Sequence, residues 1–452
     1  MWALLKDGRV IDPASGLDEV ADILIRDGVI ADLGDLTPIP SPCTERGGEC
    51  EVFDLSGKVV CPGLIDMHVH LREPGFENKE TIETGSHAAV AGGFTTIVCM
   101  ANTKPVIDNR AVVEFVTRQG KEAGFANVLV AGAITKELKG DQMAELGEMA
   151  EAGVAAFTDD AFPVQNSRMM RLCMEYARML DKPVLTHCED KTLAADGLVN
   201  EGVVATTAGL RGIPAVAEEV MVARNIMLAA LTGCRLHIQH VSTAGSVEII
   251  RRAKQSGMAL TCETCPQYFS LTDEVVATYD TNTKTNPPLR TARDLEAIKA
   301  GLADGTIDII ATDHAPHATE DKEVEYELAA FGMVGLETAL GLVITELVNK
   351  KVLSLSEAIA KMTVAPASTL GLKSGALSKG AKADITIFDP EAQWEVNSAN
   401  FKSKARNTPF EGWKLTGRPV AAIVGGRIVF GVGTLNREER EAERMTRKVE
   451  VR

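Results

Sequence analysis

The sequence has no excess of basic residues: 47 Lys and Arg stand against 63 Asp and Glu, a formal charge of -16 at pH 7. That balance excludes a surface built for nucleic acid or anionic membrane, and leaves anion binding to a local cationic site. No run approaches the ~18 apolar residues of a membrane span. The opening "MWALLKDGRV" carries Lys6 and Asp7 without a long apolar core, so it does not read as a signal peptide. The nine cysteines show no framework spacing. The one Cys-x-x-Cys, Cys262 and Cys265 in "TCETCPQ", lacks the second pair that a structural zinc site needs, and reads as two small residues at a strand end. Scattered thiols fit a reducing cytoplasm. A Gly-rich phosphate loop after the first strand of the middle region is missing too, which argues against an open nucleotide-binding sheet.

What is present is ordinary globular material, 45% apolar and 24% charged over 452 residues, enough for one large α/β barrel and a satellite. The first sixty residues alternate around Asp-Gly and Ser-Gly turns, as hairpins do. A Pro/Gly-rich, Cys-bearing loop, 37 to 50, interrupts them. The same style returns in "KGAKADITIFDP" and "RPVAAIVGGRIVF". Residues 1–60 and 375–430 are therefore expected to form one composite β domain around an inserted middle, 61–374. The tail 431–452, dense in both charge signs, reads as solvated. In the middle, eight apolar runs alternate with helical stretches: "VVCPGLIDMHVH", "FTTIVCMANT", "ANVLVAGAIT", "GVAAFTDD", "KPVLTHCED", "RLHIQHVS", "MALTCETCP" and "IDIIATDHAPH". That alternation predicts a closed (β/α)8 barrel.

Most of these runs end on a residue capable of chemistry. His68 and His70 close the first, Asn102 the second, Asp159 and Asp160 the fourth, His187 the fifth, His240 the sixth and Asp313 the eighth. Alone, His68-x-His70 is as consistent with surface histidines on an edge strand as with a metal pair on one strand face. The recurrence of four histidines at the barrel's C-terminal ends, where active sites sit, turns the balance to metal. His237, three residues before His240, and His87, in a helical stretch, read as structural. Four His and two or more carboxylates exceed the three protein ligands of a single catalytic zinc. Two metals about 3.5–4 Å apart need a bridging anion. Asp159 and Asp160 point oppositely, so only one of them is expected to reach it.

"DMHVHLREPG", "MANTKP", "AFTDDAFPVQ", "THCED", "HVSTAGSVEIIRRAK", "NPPLR" and "GTIDIIATDHAPH", in this order, resemble type I dihydroorotase of the amidohydrolase superfamily. The likeness spans nearly the whole chain. It implies a distorted (β/α)8 TIM barrel with a small composite β-sandwich domain from both chain ends. It also implies two zinc ions: His68, His70 and Asp313 on one, His187 and His240 on the other, Asp160 bridging. Other superfamily members bridge with a carboxylated lysine after a similar "G-V-x-x-F" run. Here that position is Thr158.

The resemblance further implies that Arg72, Asn102, Asn286 and His317 hold the substrate's exocyclic carboxylate, with backbone contacts from Phe331 and Gly332. Arg72, two residues past His70, would share its strand face and present a guanidinium fork. His314 is expected to be structural. "ATEDKEVEYELAA", 318 to 330, reads as a lid. The implied reaction is the reversible cyclisation of N-carbamoyl-L-aspartate to L-dihydroorotate in pyrimidine synthesis. In the hydrolytic direction a metal-bound hydroxide attacks, with Asp313 as general acid/base. A homo-oligomer is expected, with a complex with aspartate transcarbamoylase as an open partner. The competing readings are another cyclic amidase, allantoinase or hydantoinase, and a non-catalytic scaffold for aspartate transcarbamoylase.

Overall fold

A computed structural model of the protein describes residues 2–36 and 50–431. The Cys-bearing loop up to residue 49 and nearly all of the charged tail lie outside the described residues.

The middle of the chain forms eight parallel barrel strands: β1 (Leu64–Val69), β2 (Phe94–Cys99), β3 (Asn127–Gly132), β4 (Ala156–Thr158), β5 (Val184–Thr186), β6 (Leu236–Ile238), β7 (Leu260–Thr264) and β8 (Ile309–Ile310). Each pairs in parallel with the next. Beyond β8, His70 N–H donates to His314 O at 2.9 Å, which brings the last strand's extension back to the first. Apolar β-branched runs suit strands covered on both faces. Met67, Val98, Met100, Ala131, Ala156, Leu185 and Ile309 form a closed apolar cluster beneath the strand ends, so the barrel is filled rather than hollow.

Helices cover the outside, and their ends follow local chemistry. The helix Arg110–Ala123 starts where Asn109 Oδ1 accepts from Val112 N–H, and ends at left-handed Gly124. Its buried face is Val112, Val113, Val116 and Gly120, a helical i, i+4 spacing. Fully burying each valine contributes about 1.5–3 kcal/mol, so a charge at Val116 would unseat the helix.

The chain ends build one second sheet from Trp2–Asp12, Leu17–Arg26, Val29–Gly34, Cys50–Asp54, Val59–Pro62, Ile385–Glu395, Lys414–Val424 and Arg427–Phe430. Asp27-Gly28 turns one of its hairpins with positive φ at both residues, 49° and 87°, as a tight two-residue turn requires. Val59–Pro62 joins the ends, pairing parallel with the first strand and antiparallel with Ile385–Glu395. The run 59–70, expected as one strand, is therefore two. The break falls at Gly63, where a Cβ would overlap the Thr95 side chain. No helix among the described residues is long and apolar enough to cross a membrane.

Candidate active site

Asp160 lies two residues past β4, and its two carboxylate oxygens face different histidine pairs. Oδ2 is 3.4 Å from His68 Nε2 and 3.5 Å from His70 Nε2. Oδ1 is 3.3 Å from His240 Nε2 and 3.4 Å from His187 Nδ1. Asp313 Oδ1 closes the first group, 3.1 Å from His70 Nε2 and 3.5 Å from His68 Nε2. All of these side chains are buried. Asp159 turns the other way: its carboxylate accepts from Ile134 N–H at 2.7 Å and Thr135 N–H at 3.0 Å.

The donor set fits metal ions. His68, His70 and Asp160 make one group with ligand atoms within 4.8 Å of one another, and Asp160, His187 and His240 make a second. His68 Nε2 is buried with no hydrogen-bond partner, an uncompensated cost unless a cation takes its lone pair. The other nitrogens explain its direction. His68 Nδ1 lies 2.7 Å from Glu263 Oε1, and His70 Nδ1 lies 2.9 Å from Asn102 Oδ1. Each Nδ1–H donates to an oxygen, so each Nε2 presents a lone pair. Burial opposes ionisation of Asp160. The neighbouring imidazoles, His68 first and then His187 and His240, nonetheless hold it well below the usual carboxylate range. Asp313 is held low in the same way by His68 and His70. Thr158 is buried and donates to Gln239 Oε1 at 3.1 Å, so Asp160 is the anion between the histidine pairs.

A cavity of about 300 Å³ opens over this cluster. Its lining includes His70, Arg72, Asn102, Asn286, His317, Phe331 and Gly332, together with Asp160, His240 and Asp313. Arg72 reaches it by a different route from the strand-face expectation. β1 ends at Val69, and Arg72 has φ 64°, so a left-handed turn and not strand alternation aims the side chain. Its Nε donates to Pro316 O at 3.1 Å, and no carboxylate pairs with it among the described residues. Burial lowers its pKa to about 10, against the pull of Asp313 and Asp160, and it stays charged at neutral pH. His317 Nε2–H donates to Phe331 O at 2.8 Å. Gly332 N–H is already donated to Lys284 O at 2.8 Å. Two positive-φ residues besides Arg72 fall in the cluster, His240 at 33° and Asp313 at 50°. Such backbone strain gathers at functional sites.

Sequence reading missed the residues behind this layer. Glu263 sits under His68. Glu189 Oε2 accepts from His187 Nε2–H at 3.2 Å and from Asn286 Nδ2–H at 3.1 Å, and pairs with Lys191. Glu189 was visible in "THCED", one residue from a cysteine and two from His187, as a carboxylate at the same strand end. Glu263 sits mid-strand and gave no such signal. The segment read as a lid is fastened: Lys322 Nζ donates to Thr281 O and Ala330 O at 3.0 and 2.7 Å, and Lys284 Nζ to Tyr326 O and Glu327 O at 2.8 and 3.0 Å. His87 stacks on Phe125 and His314 faces Glu80, both away from the cluster.

A parallel barrel whose strand ends carry four histidines around a shared aspartate, with a composite sheet from the chain ends, defines an amidohydrolase. The family described as "Amidohydrolase family" matches residues 286–430, and the one described as "Dihydro-orotase-like" matches residues 57–246. The fold is similar to that of an L-hydantoinase (dihydropyrimidinase) from Arthrobacter aurescens, with TM-score 0.84 and 28% identity over 95% of this chain and 96% of that one. Curated relatives narrow the class. A dihydroorotase of Pelotomaculum thermopropionicum is 56% identical over 95% of this chain and 99% of its own length. One of Syntrophotalea carbinolica is 53% identical over the same shares. The chain belongs to the dihydroorotase family.

Proposed function

We infer that the chain interconverts L-dihydroorotate and N-carbamoyl-L-aspartate in de novo pyrimidine biosynthesis. The observation that carries this reading is Arg72, a half-buried cation with no carboxylate partner among the described residues, lining the same cavity as Asp160 and Asp313. A cyclic amide bearing an exocyclic carboxylate satisfies both. His68, His70 and Asp313 would hold one zinc ion and His187 and His240 a second, with Asp160 between them. Bound there, zinc supplies Lewis acidity and an acidified water.

The chain's own groups do the rest. Arg72 and Asn102 bind the carboxylate and fix the ring, with His317, Asn286 and the Phe331–Gly332 segment lining its edge. Asp313 Oδ1 faces His70, which leaves Oδ2 to take the proton of the attacking water and pass it to the ring nitrogen as the C–N bond breaks. In synthesis the same carboxylate works in reverse. Thr158, in place of a lysine, separates this site from hydantoinase and allantoinase sites. Retention of every ligand disfavours a non-catalytic scaffold. A direct assay on dihydroorotate, hydantoin and allantoin tests the reading: turnover of dihydroorotate alone supports it, and preference for either other ring overturns it.

The same reading takes residues 61–374 as the catalytic unit and the composite sheet as its support. Seven free, buried cysteines among the described residues support a reducing cytoplasm, although Cys50 is disulfide-bonded. The expected homo-oligomer has a candidate surface. On the helix Val216–Thr232, Val216, Val220, Met227 and Leu231 are 42, 40, 71 and 64% exposed. Their positions are symmetric about the helix midpoint. An antiparallel pairing across a two-fold axis would set Val216 against Leu231 and Val220 against Met227 of a second copy. Sedimentation of Met227→Glu tests it: a monomer is expected, and an unchanged assembly places the interface elsewhere.

A further inference from the structure

Beneath the histidine cluster runs a buried hydrogen-bonded row crossing three barrel strands. Thr261 on β7 contacts His237 Nδ1 at 2.8 Å. His237 Nε2, on β6, lies 3.1 Å from Glu263 Oε2. Glu263 Oε1, on β7, lies 2.7 Å from His68 Nδ1 at the end of β1. Glu263, His237 and His68 are each fully buried. We propose that Glu263 is a positioning residue for the metal site, fixing the tautomer and ring direction of His68, with His237 as its support. The proposal rests on the reading of His68 as a metal ligand.

The chemistry of the row is specific. A carboxylate only accepts, so it draws an N–H from each imidazole it touches. His68 Nδ1 lies 2.7 Å from the Glu263 carboxylate against 3.2 Å from the Gln239 amide nitrogen, so the nearer anion sets its proton on Nδ1, and the Nε2 lone pair faces the site, where it has no hydrogen-bond partner. Reversed, an Nε2–H would point at the place a cation occupies. His237 must carry its proton on Nε2, and its Nδ1 then accepts from the Thr261 hydroxyl. An amide at position 263 breaks this logic, because it accepts at one end and donates at the other. One orientation leaves His68 correct and requires His237 to move its proton to Nδ1. The other forces His68 into the wrong tautomer. Thr261 Oγ can accept as well as donate, so the first orientation is accessible, and Glu263→Gln should weaken the site rather than erase it. Glu263→Leu offers no acceptor to either ring.

The test is zinc affinity by chelator competition on the full chain, independent of turnover. Removing a carboxylate that supports a metal-ligating histidine costs about 10–100-fold in affinity. The expected order is wild type tightest, then Glu263→Gln, then Glu263→Leu. Glu80→Gln is the control, because Glu80 is as buried and pairs with His314 and Ser403 away from the cluster. It should keep wild-type affinity. Should Glu263→Leu fail to fold by circular dichroism, His237→Gln replaces it, with a loss of about tenfold expected. Wild-type affinity in a folded Glu263→Gln and a folded Leu or His237→Gln variant overturns the proposal, as does an equal loss in Glu80→Gln. A metal-free wild type that takes up no zinc instead overturns the underlying reading of His68.

Discussion

Asn286 Nδ2–H donates to Glu189 Oε2 at 3.1 Å, and the same oxygen accepts from His187 Nε2–H. A residue lining the cavity and a residue of the histidine cluster are thus tied to one buried atom. Burial opposes its charge, but His187 and Lys191 hold the Glu189 carboxyl well below the usual range. Hydrogen bonds to charged groups contribute about 1.5–3 kcal/mol. Glu189→Ala is therefore expected to lower kcat/KM on dihydroorotate by about 10–100-fold, at unchanged secondary structure. Steady-state kinetics with circular dichroism checks this, and kinetics like wild type would sever the two roles.

Arg72→Met is expected to raise KM for both dihydroorotate and N-carbamoyl-aspartate by about 10–100-fold, the worth of a charge-assisted fork. Arg72→Lys should recover little of it, because a point charge does not reproduce two parallel N–H donors. An unchanged KM in the methionine variant counts against carboxylate recognition.

These two residues mark what the sequence could and could not tell. The barrel was legible because β-branched apolar runs alternate with helical stretches, and the site because His68, His187, His240 and Asp313 recur at strand ends. Arg72 lines the cavity over the histidines, but through a left-handed turn and not through strand alternation. A residue with φ 64° breaks the period-two rule, and nothing in "HLREPG" announces it. The break at Gly63 was hidden because its cause is a contact with Thr95, distant in sequence. Glu263 escaped because it sits within its strand and meets His68 only across the barrel. Thr158 was legible, because the position follows a recognisable run.

Asp313→Asn is expected to lower kcat by at least about 10²–10⁴, the contribution of a positioned acid/base. The melting temperature should stay near wild type, since the amide is isosteric. Near-normal turnover removes Asp313 from the proton path.

Lys322 gives a pH prediction outside the metal cluster. Burial, with Lys284 nearby, lowers its pKa to about 7 from an ordinary 10.5. Between those values the unfolded chain binds the proton and the folded chain does not. This group's contribution therefore makes stability rise as pH climbs from about 7 to 10.5, and leaves it flat below that window, where both states hold the proton. Lys322→Met is expected to flatten that rise in denaturant titrations at pH 7, 8.5 and 10. The same slope in the variant assigns it to other groups.

The most direct measurement is dihydroorotate turnover by the full chain after chelation and after stepwise zinc return. Activity should vanish on chelation and return with zinc, reaching its full value near two equivalents, one for each histidine pair around Asp160. Full dihydroorotase activity in chelated, metal-free protein would contradict the account.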